Sequence, residues 1–379
     1  MAELSLTGGA GPPNRELMRL FDVSSPDAEK AGNRTTSCEE VAAYGGSALR
    51  LQAGGYEALL LPERGGNMIS LSYGSLSFLR SPRPDQEAEF AEKPSRYGIP
   101  VLFPPNRIGD GRFTAAGRRY QFPVNEAVFN NHIHGLFVRL PWTVLDQGAG
   151  RNEAYAEVGQ LVDETHPVYG LFPHHFELRI RYTLAAHGLK QRVRIVNHGE
   201  KPLPCMLGFH TAFNVPFSPQ GNPADYTVKV PLGEHWVTDE RMLPTGRMQE
   251  LDDADRLVAS GGASPFAKEW ADYYTACPRT AGRVGPVNAM ELIDRGLGIK
   301  LVYEAGEAYR HWVLWNDSAA GDFICVEPQT CAVNAANLPL PPEETGLLML
   351  EAGDVWEAES RLYAEAWEGG GSVGGRFEE

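Results

Sequence analysis

Alternating and short apolar runs organise this chain more than helical spacing does. Phe176, Leu178, Ile180, Tyr182 and Leu184 alternate with charged or small residues. After a turn at His187-Gly188 the alternation resumes at Leu189, Val193 and Ile195. Successive side chains of a strand point to opposite faces, so this period of two predicts a hairpin with one buried face. Similar runs recur at residues 58–61, 68–73, 226–230, 299–303, 312–315 and 323–326, with turn formers between them. Helical periodicity is sparse, and short helices are expected only around 16–21, 95–102 and 333–338. Many short strands punctuated by Gly and Pro predict an all-β sandwich or barrel.

Composition supports that picture and bounds it. The chain has 379 residues with 41 Gly and 28 Pro, about 18 % together, against a usual ~12 %. The excess belongs to turns. The Gly-Gly-Ala-Gly-Pro-Pro stretch and scattered charge make residues 1–36 a loose leader, and the Gly-rich segment 368–379 reads as a disordered tail. Residues 37–367 show no composition break and no repeat, which predicts one domain. The net charge of −15 disfavours nucleic acid and anionic membrane as partners, since both attract clustered Lys and Arg. Five separated cysteines without a C-x-x-C spacing read as reduced thiols. The N-terminus lacks signal-peptide features, and no apolar run approaches the ~18 residues of a membrane span. A soluble, cytoplasmic protein is expected; its oligomeric state is left open.

Three separated segments carry candidate chemistry: 131–135 (Asn-His-Ile-His-Gly), 208–213 (Gly-Phe-His-Thr-Ala-Phe) and 326–330 (Val-Glu-Pro-Gln-Thr). His132 and His134 are two apart, so on a strand both would face one side and could hold a metal or a substrate. The alternative is one core and one surface imidazole. No H-E-x-x-H accompanies them, and no metal is expected. His210 sits in an apolar stretch, where an imidazole is either satisfied by hydrogen bonds or shifted in pKa. Glu327 ends an apolar run, so it is a paired structural ion or a base with a tuned pKa. Asn106 and Arg107 follow two prolines and precede a Gly-Asp-Gly turn, a stiff mount for a guanidinium fork or a solvated hairpin tip. There is no P-loop, no G-x-G-x-x-G that follows a predicted strand and no nucleophile elbow at a strand-to-helix turn, so phosphoanhydride, hydride and serine-hydrolase chemistry find no support.

Taken in order, these segments resemble the aldose 1-epimerases, or galactose mutarotases. The likeness rests on Asn106-Arg107-Ile108, Gly111-Arg112-Phe113, Tyr120, Asn125, His134-Gly135, Ile195-Val196-Asn197, Gly208-Phe209-His210 and Glu327-Pro328-Gln329, and covers about residues 54–363. The resemblance implies a large antiparallel β-sandwich with few short helices and a free aldose as substrate. It implies Glu327 as general base and His210 as general acid, a pair that needs no cofactor. His134 and Arg107, with Asn106 and His132 beside them, would hold the sugar. Asp272 is the candidate for a further hydroxyl-binding carboxylate, and Trp142, Phe172 or Tyr274 for an aromatic rim. The chain departs from the family pattern at Leu136 after His-Gly, at Thr211-Ala212-Phe213 after the second His, and around Asp272. These departures touch pocket walls and so bear on the preferred sugar. The alternatives are a non-catalytic carbohydrate-binding protein and a hexose-6-phosphate 1-epimerase using Arg107, Arg112, Arg118 and Arg119. A metal-dependent cupin-like oxygenase is a fourth class.

Overall fold

The computed structural model describes residues 35–279 and 286–367. The expected hairpin forms from strands Phe176–Ala185 and Gly188–Asn197, paired from Phe176 opposite Asn197 to Ala185 opposite Gly188. Its alternating apolar set (Phe176, Leu178, Ile180, Tyr182, Leu184) is fully buried. The hairpin is the centre of an eight-stranded antiparallel sheet. On one side lie Glu153–Val162 and Thr143–Ala149; on the other lie Val355–Ala366, Ile299–Glu304, Ala289–Asp294 and Tyr226–Lys229.

A second antiparallel sheet carries, in spatial order, Pro244–Gln249, Leu232–Thr238, Ala271–Ala276, His311–Trp315, Phe323–Gln329, Gly208–Phe209 and Val101–Leu102, with Ala212–Asn214 also paired to Phe323–Gln329. A five-stranded meander runs from Ser37–Ala43 to Leu76–Ser77. One main apolar cluster, with members from Leu49 to Ala364, joins all three sheets. The fold is therefore the large antiparallel β-sandwich that the resemblance implied.

Helices are short, but not where apolar spacing placed them. The segment 95–102 yields only a 3-10 turn, Pro94–Arg96, before the chain extends into Val101–Leu102. Gly98 is left-handed and Pro100 lacks an N–H, so a helix cannot pass. In 333–338 only the 3-10 turn Ala335–Asn337 forms. The longest described helix, Asp253–Ser260, is instead announced by its cap: Asp252 accepts the Asp255 N–H at 2.7 Å and Asp255 reaches back to the Asp252 N–H. The expected helix at 16–21 and the expected tail lie outside the described residues. Among those described, no helix is long and apolar enough to cross a membrane.

Candidate active site

Register across three strands builds one wall of a cleft. Tyr273 lies opposite Val313, and Val313 opposite Glu327; two positions along, Ala271 lies opposite Trp315. Directly opposed residues in a sheet share a face. Tyr273, Val313, Glu327, Ala271 and Trp315 accordingly all line a cleft of about 430 Å³, within the ~300–1,000 Å³ typical of small-molecule sites. His210 enters between the short strands Gly208–Phe209 and Ala212–Asn214, its N–H donating to the Pro100 carbonyl at 3.1 Å.

The opposite wall is a pair of unusual backbone turns. Asn106 (φ 52°) and His134 (φ 66°) are both left-handed, and the His134 N–H donates to the Asn106 carbonyl at 3.0 Å. Such conformations cost non-glycine residues ~1–3 kcal/mol and collect at functional sites. Gly135 follows, also left-handed; a Cβ there would come within 2.5 Å of the Pro104 carbonyl oxygen. This close approach fixes the path that carries His134 to the cleft.

At the cleft floor His210 Nε2 lies 3.2 Å from Glu327 Oε1, and the Gln329 amide donates to Glu327 Oε2 at 3.3 Å. The His134 and His210 rings meet edge to face at 5.0 Å, and Trp315 packs on His210 at 5.7 Å. Glu327 is 1 % exposed and His210 5 %. Burial pushes the Glu327 carboxyl up to about 8, against the smaller opposing pull of Gln329 and Arg107. Burial also drives His210 down to about 4, and His134 well below an ordinary imidazole. Between those limits Glu327 and His210 share one proton. Burial favours the neutral tautomer, with the proton on Glu327; the 3.2 Å contact makes the ion pair, with the proton on His210, the adjacent alternative. One proton and one vacancy, side by side, is what acid–base transfer requires.

Arg107 lies on the cleft wall in strand Arg107–Gly109. Its Nε and Nη2 donate to the Glu126 carboxylate at 2.7–3.0 Å, and Nη1 donates to the Tyr273 hydroxyl. Glu126 also accepts from the Asn131 amide at 3.1 Å. Asn106 lines the cleft with its amide oxygen buried and unpartnered.

Two sequence-predicted residues are not brought to the cleft. His132 is in strand Asn131–Ile133, but His134 is beyond its end in the left-handed turn, so the two imidazoles do not share a strand face. The His132 ring packs on Phe122 and its Nδ1 bonds the Pro123 carbonyl at 2.8 Å. Asp272 lies opposite Leu314, one residue out of register with the cleft-facing set, and therefore points through the sheet. There it contacts Lys268 at 3.0 Å and His235 at 3.3 Å. Burial opposes its ionisation, but these two partners outweigh it and hold its pKa below the usual range. The suggested aromatic rim is likewise absent: Trp142, Phe172 and Tyr274 are core residues. The cleft aromatics are Tyr273 and Trp315.

Tyr273, Trp315 and Glu126 were missed. For the first two, the strand pattern held the signal, but only the register reveals which face is the cleft. Nothing in the sequence around Glu126 marks it. Arg112, Arg118 and Arg119, offered as a phosphate cluster, do not line this cleft. Among the described residues, no three His, Cys, Asp or Glu side chains converge as a metal site.

Comparison with known proteins bears on this geometry. The profile of the family described as aldose 1-epimerase matches residues 47–363. The chain is 32 % identical to a galactose mutarotase-like protein from Clostridium acetobutylicum, with a TM-score of 0.83 over 87 % of this chain and 98 % of that one. It is 26 % identical to the uncharacterized protein YihR of Escherichia coli over 81 % of this chain and 90 % of that protein. Mouse galactose mutarotase is 27 % identical over a shorter segment, 41 % of this chain and 43 % of the mouse protein.

Proposed function

The chain belongs to the aldose 1-epimerase family, and from that premise we propose that it interconverts the α and β anomers of a free aldose, using Glu327 as base and His210 as acid. The observation that carries this reading is the buried 3.2 Å contact between His210 Nε2 and Glu327 Oε1 at the floor of the cleft. The anomeric oxygen O1 and the ring oxygen O5 are both bonded to C1, so two groups in contact with one another can address both at once. The step proceeds from the ion-pair tautomer, with the shared proton on His210: Glu327 takes the proton from the C1 hydroxyl. The electron pair becomes the C1=O bond, the C1–O5 bond breaks, and His210 delivers its proton to O5. The aldehyde turns about C1–C2, and the two groups act in reverse as O5 closes on the other face. Nothing is oxidised or reduced, and the proton count is conserved. Each group supplies ~10²–10⁴-fold in rate. Arg107, His134 and Asn106 hold the ring from the opposite walls.

A binding protein of the same fold would not require a buried acid–base pair, whose desolvation costs stability without adding affinity. The direct test is exchange spectroscopy on an equilibrated aldose: exchange between the anomeric proton signals should rise with wild-type protein and return to the spontaneous rate with His210→Ala. Unaltered exchange with wild-type protein across the common aldoses would remove the proposal.

A further inference from the structure

The wall beside Glu327 has a composition that follows from register. At the position where a free carboxylate was expected, Asp272 faces away and Tyr273 faces the cleft. Resting on the aldose reading above, we propose that Tyr273 and Glu126, clasped by Arg107, form the wall that recognises substrate hydroxyls and sets which sugar is preferred. In it Tyr273 is the group that donates to a ring hydroxyl.

Hydrogen-bond accounting supports this. Arg107 has five N–H donors. Three are engaged, on Nε and Nη2 by Glu126 and on Nη1 by Tyr273, which leaves two for a ligand. Because Nη1 donates to Tyr273, the phenolic oxygen accepts and its own proton is free to point into the cleft. Burial raises the Tyr273 pKa to about 12, so that proton stays at neutral pH. The Glu126 carboxylate accepts from Arg107 Nε with both oxygens, from Arg107 Nη2 and from the Asn131 amide, so most of its lone pairs are taken. Its part is to hold the guanidinium, which makes it a positioning residue. The wall therefore offers donors to sugar oxygens, where an unpaired carboxylate would demand hydroxyl protons.

The test compares wild type, Tyr273→Phe, Glu126→Gln and Asp272→Asn on the best aldose and its monodeoxy analogues, with thermal midpoints recorded to establish folding. Losing one neutral hydrogen bond should raise KM about five- to tenfold in Tyr273→Phe, with kcat changed less than about threefold. One deoxy analogue should bind poorly to wild type yet be discriminated hardly at all by Tyr273→Phe. Glu126→Gln should raise KM in the same direction, and Asp272→Asn should leave KM unchanged. If Tyr273→Phe keeps the wild-type KM and the wild-type discrimination at every position, the assignment falls. A raised KM in Asp272→Asn alone would return the role to Asp272. Wild-type turnover in the same assays reports separately on the aldose reading, and binding is followed by titration calorimetry: sugar binding without turnover would sink the catalytic reading while still testing the wall.

Discussion

Glu327 and His210 share one proton because they touch at the cleft floor and burial penalises a second charge on either. As pH rises through about 8 the pair loses that proton, and as pH falls through about 4 it takes a second. Both directions destroy the state with one donor and one acceptor. We therefore expect kcat/KM to be bell-shaped, with a plateau between those limits and a tenfold loss per pH unit beyond each; a flat profile would contradict the shared-proton account. The same burial has a cost in stability. A carboxyl whose pKa is raised by folding binds its proton more tightly in the native state, so its contribution is most favourable at low pH and is lost as pH rises through about 8. Glu327→Gln removes that titration. Its thermal midpoint at pH 8 should equal or exceed that of wild type while turnover disappears, as calorimetry and activity together would show. These two residues were legible in the sequence because a charged or imidazole side chain in an apolar run must be explained. Asp272 misled because a one-residue offset in a strand reverses the face, and no residue near it reveals the offset.

At the scale of elements, the strands were readable and the helices were not. The hairpin of Phe176–Ala185 and Gly188–Asn197 follows from alternation alone, whereas Asp253–Ser260 is specified by its cap and by what it covers. Asp255 of that helix is fully buried and accepts from Lys268 at 2.8 Å and from the Tyr274 hydroxyl at 2.8 Å. Lys268 also bonds Asp252 and Asp272. Lys268→Met would leave these carboxylates without their shared cation, and we expect a loss of about 3 kcal/mol in denaturant unfolding with KM unaltered. A change under 1 kcal/mol would show that the cluster is solvated. The turn at Gly135 is a second test of an element. Gly135→Ala adds a Cβ against the Phe103 and Pro104 backbone at a left-handed position, which should cost at least ~2 kcal/mol and lower activity by displacing His134.

Over the whole molecule, distant segments meet because the second sheet orders its strands out of sequence. His210, Ala271, Tyr273, Val313, Trp315 and Glu327 come to one cleft through that crossing, and Asn106, Arg107, Glu126 and His134 reach it from around the separate pairing of Arg107–Gly109 with Asn131–Ile133. A sequence can suggest that His210 and Glu327 belong together only through the family pattern, since spacing of more than a hundred residues carries no geometry. The composition that marks residues 1–36 as a loose leader and 368–379 as a Gly-rich tail leads to the expectation that a chain trimmed to residues 37–367 keeps the wild-type thermal midpoint and turnover; a lowered midpoint would assign a structural role to the trimmed ends. The central claim, that Glu327 and His210 open and close a sugar ring, is tested most directly by polarimetry of freshly dissolved α-D-glucose and α-D-galactose. Wild type should speed the decay of rotation for at least one of them and Glu327→Gln should leave it at the spontaneous rate. Equal decay with wild type and Glu327→Gln would contradict the account.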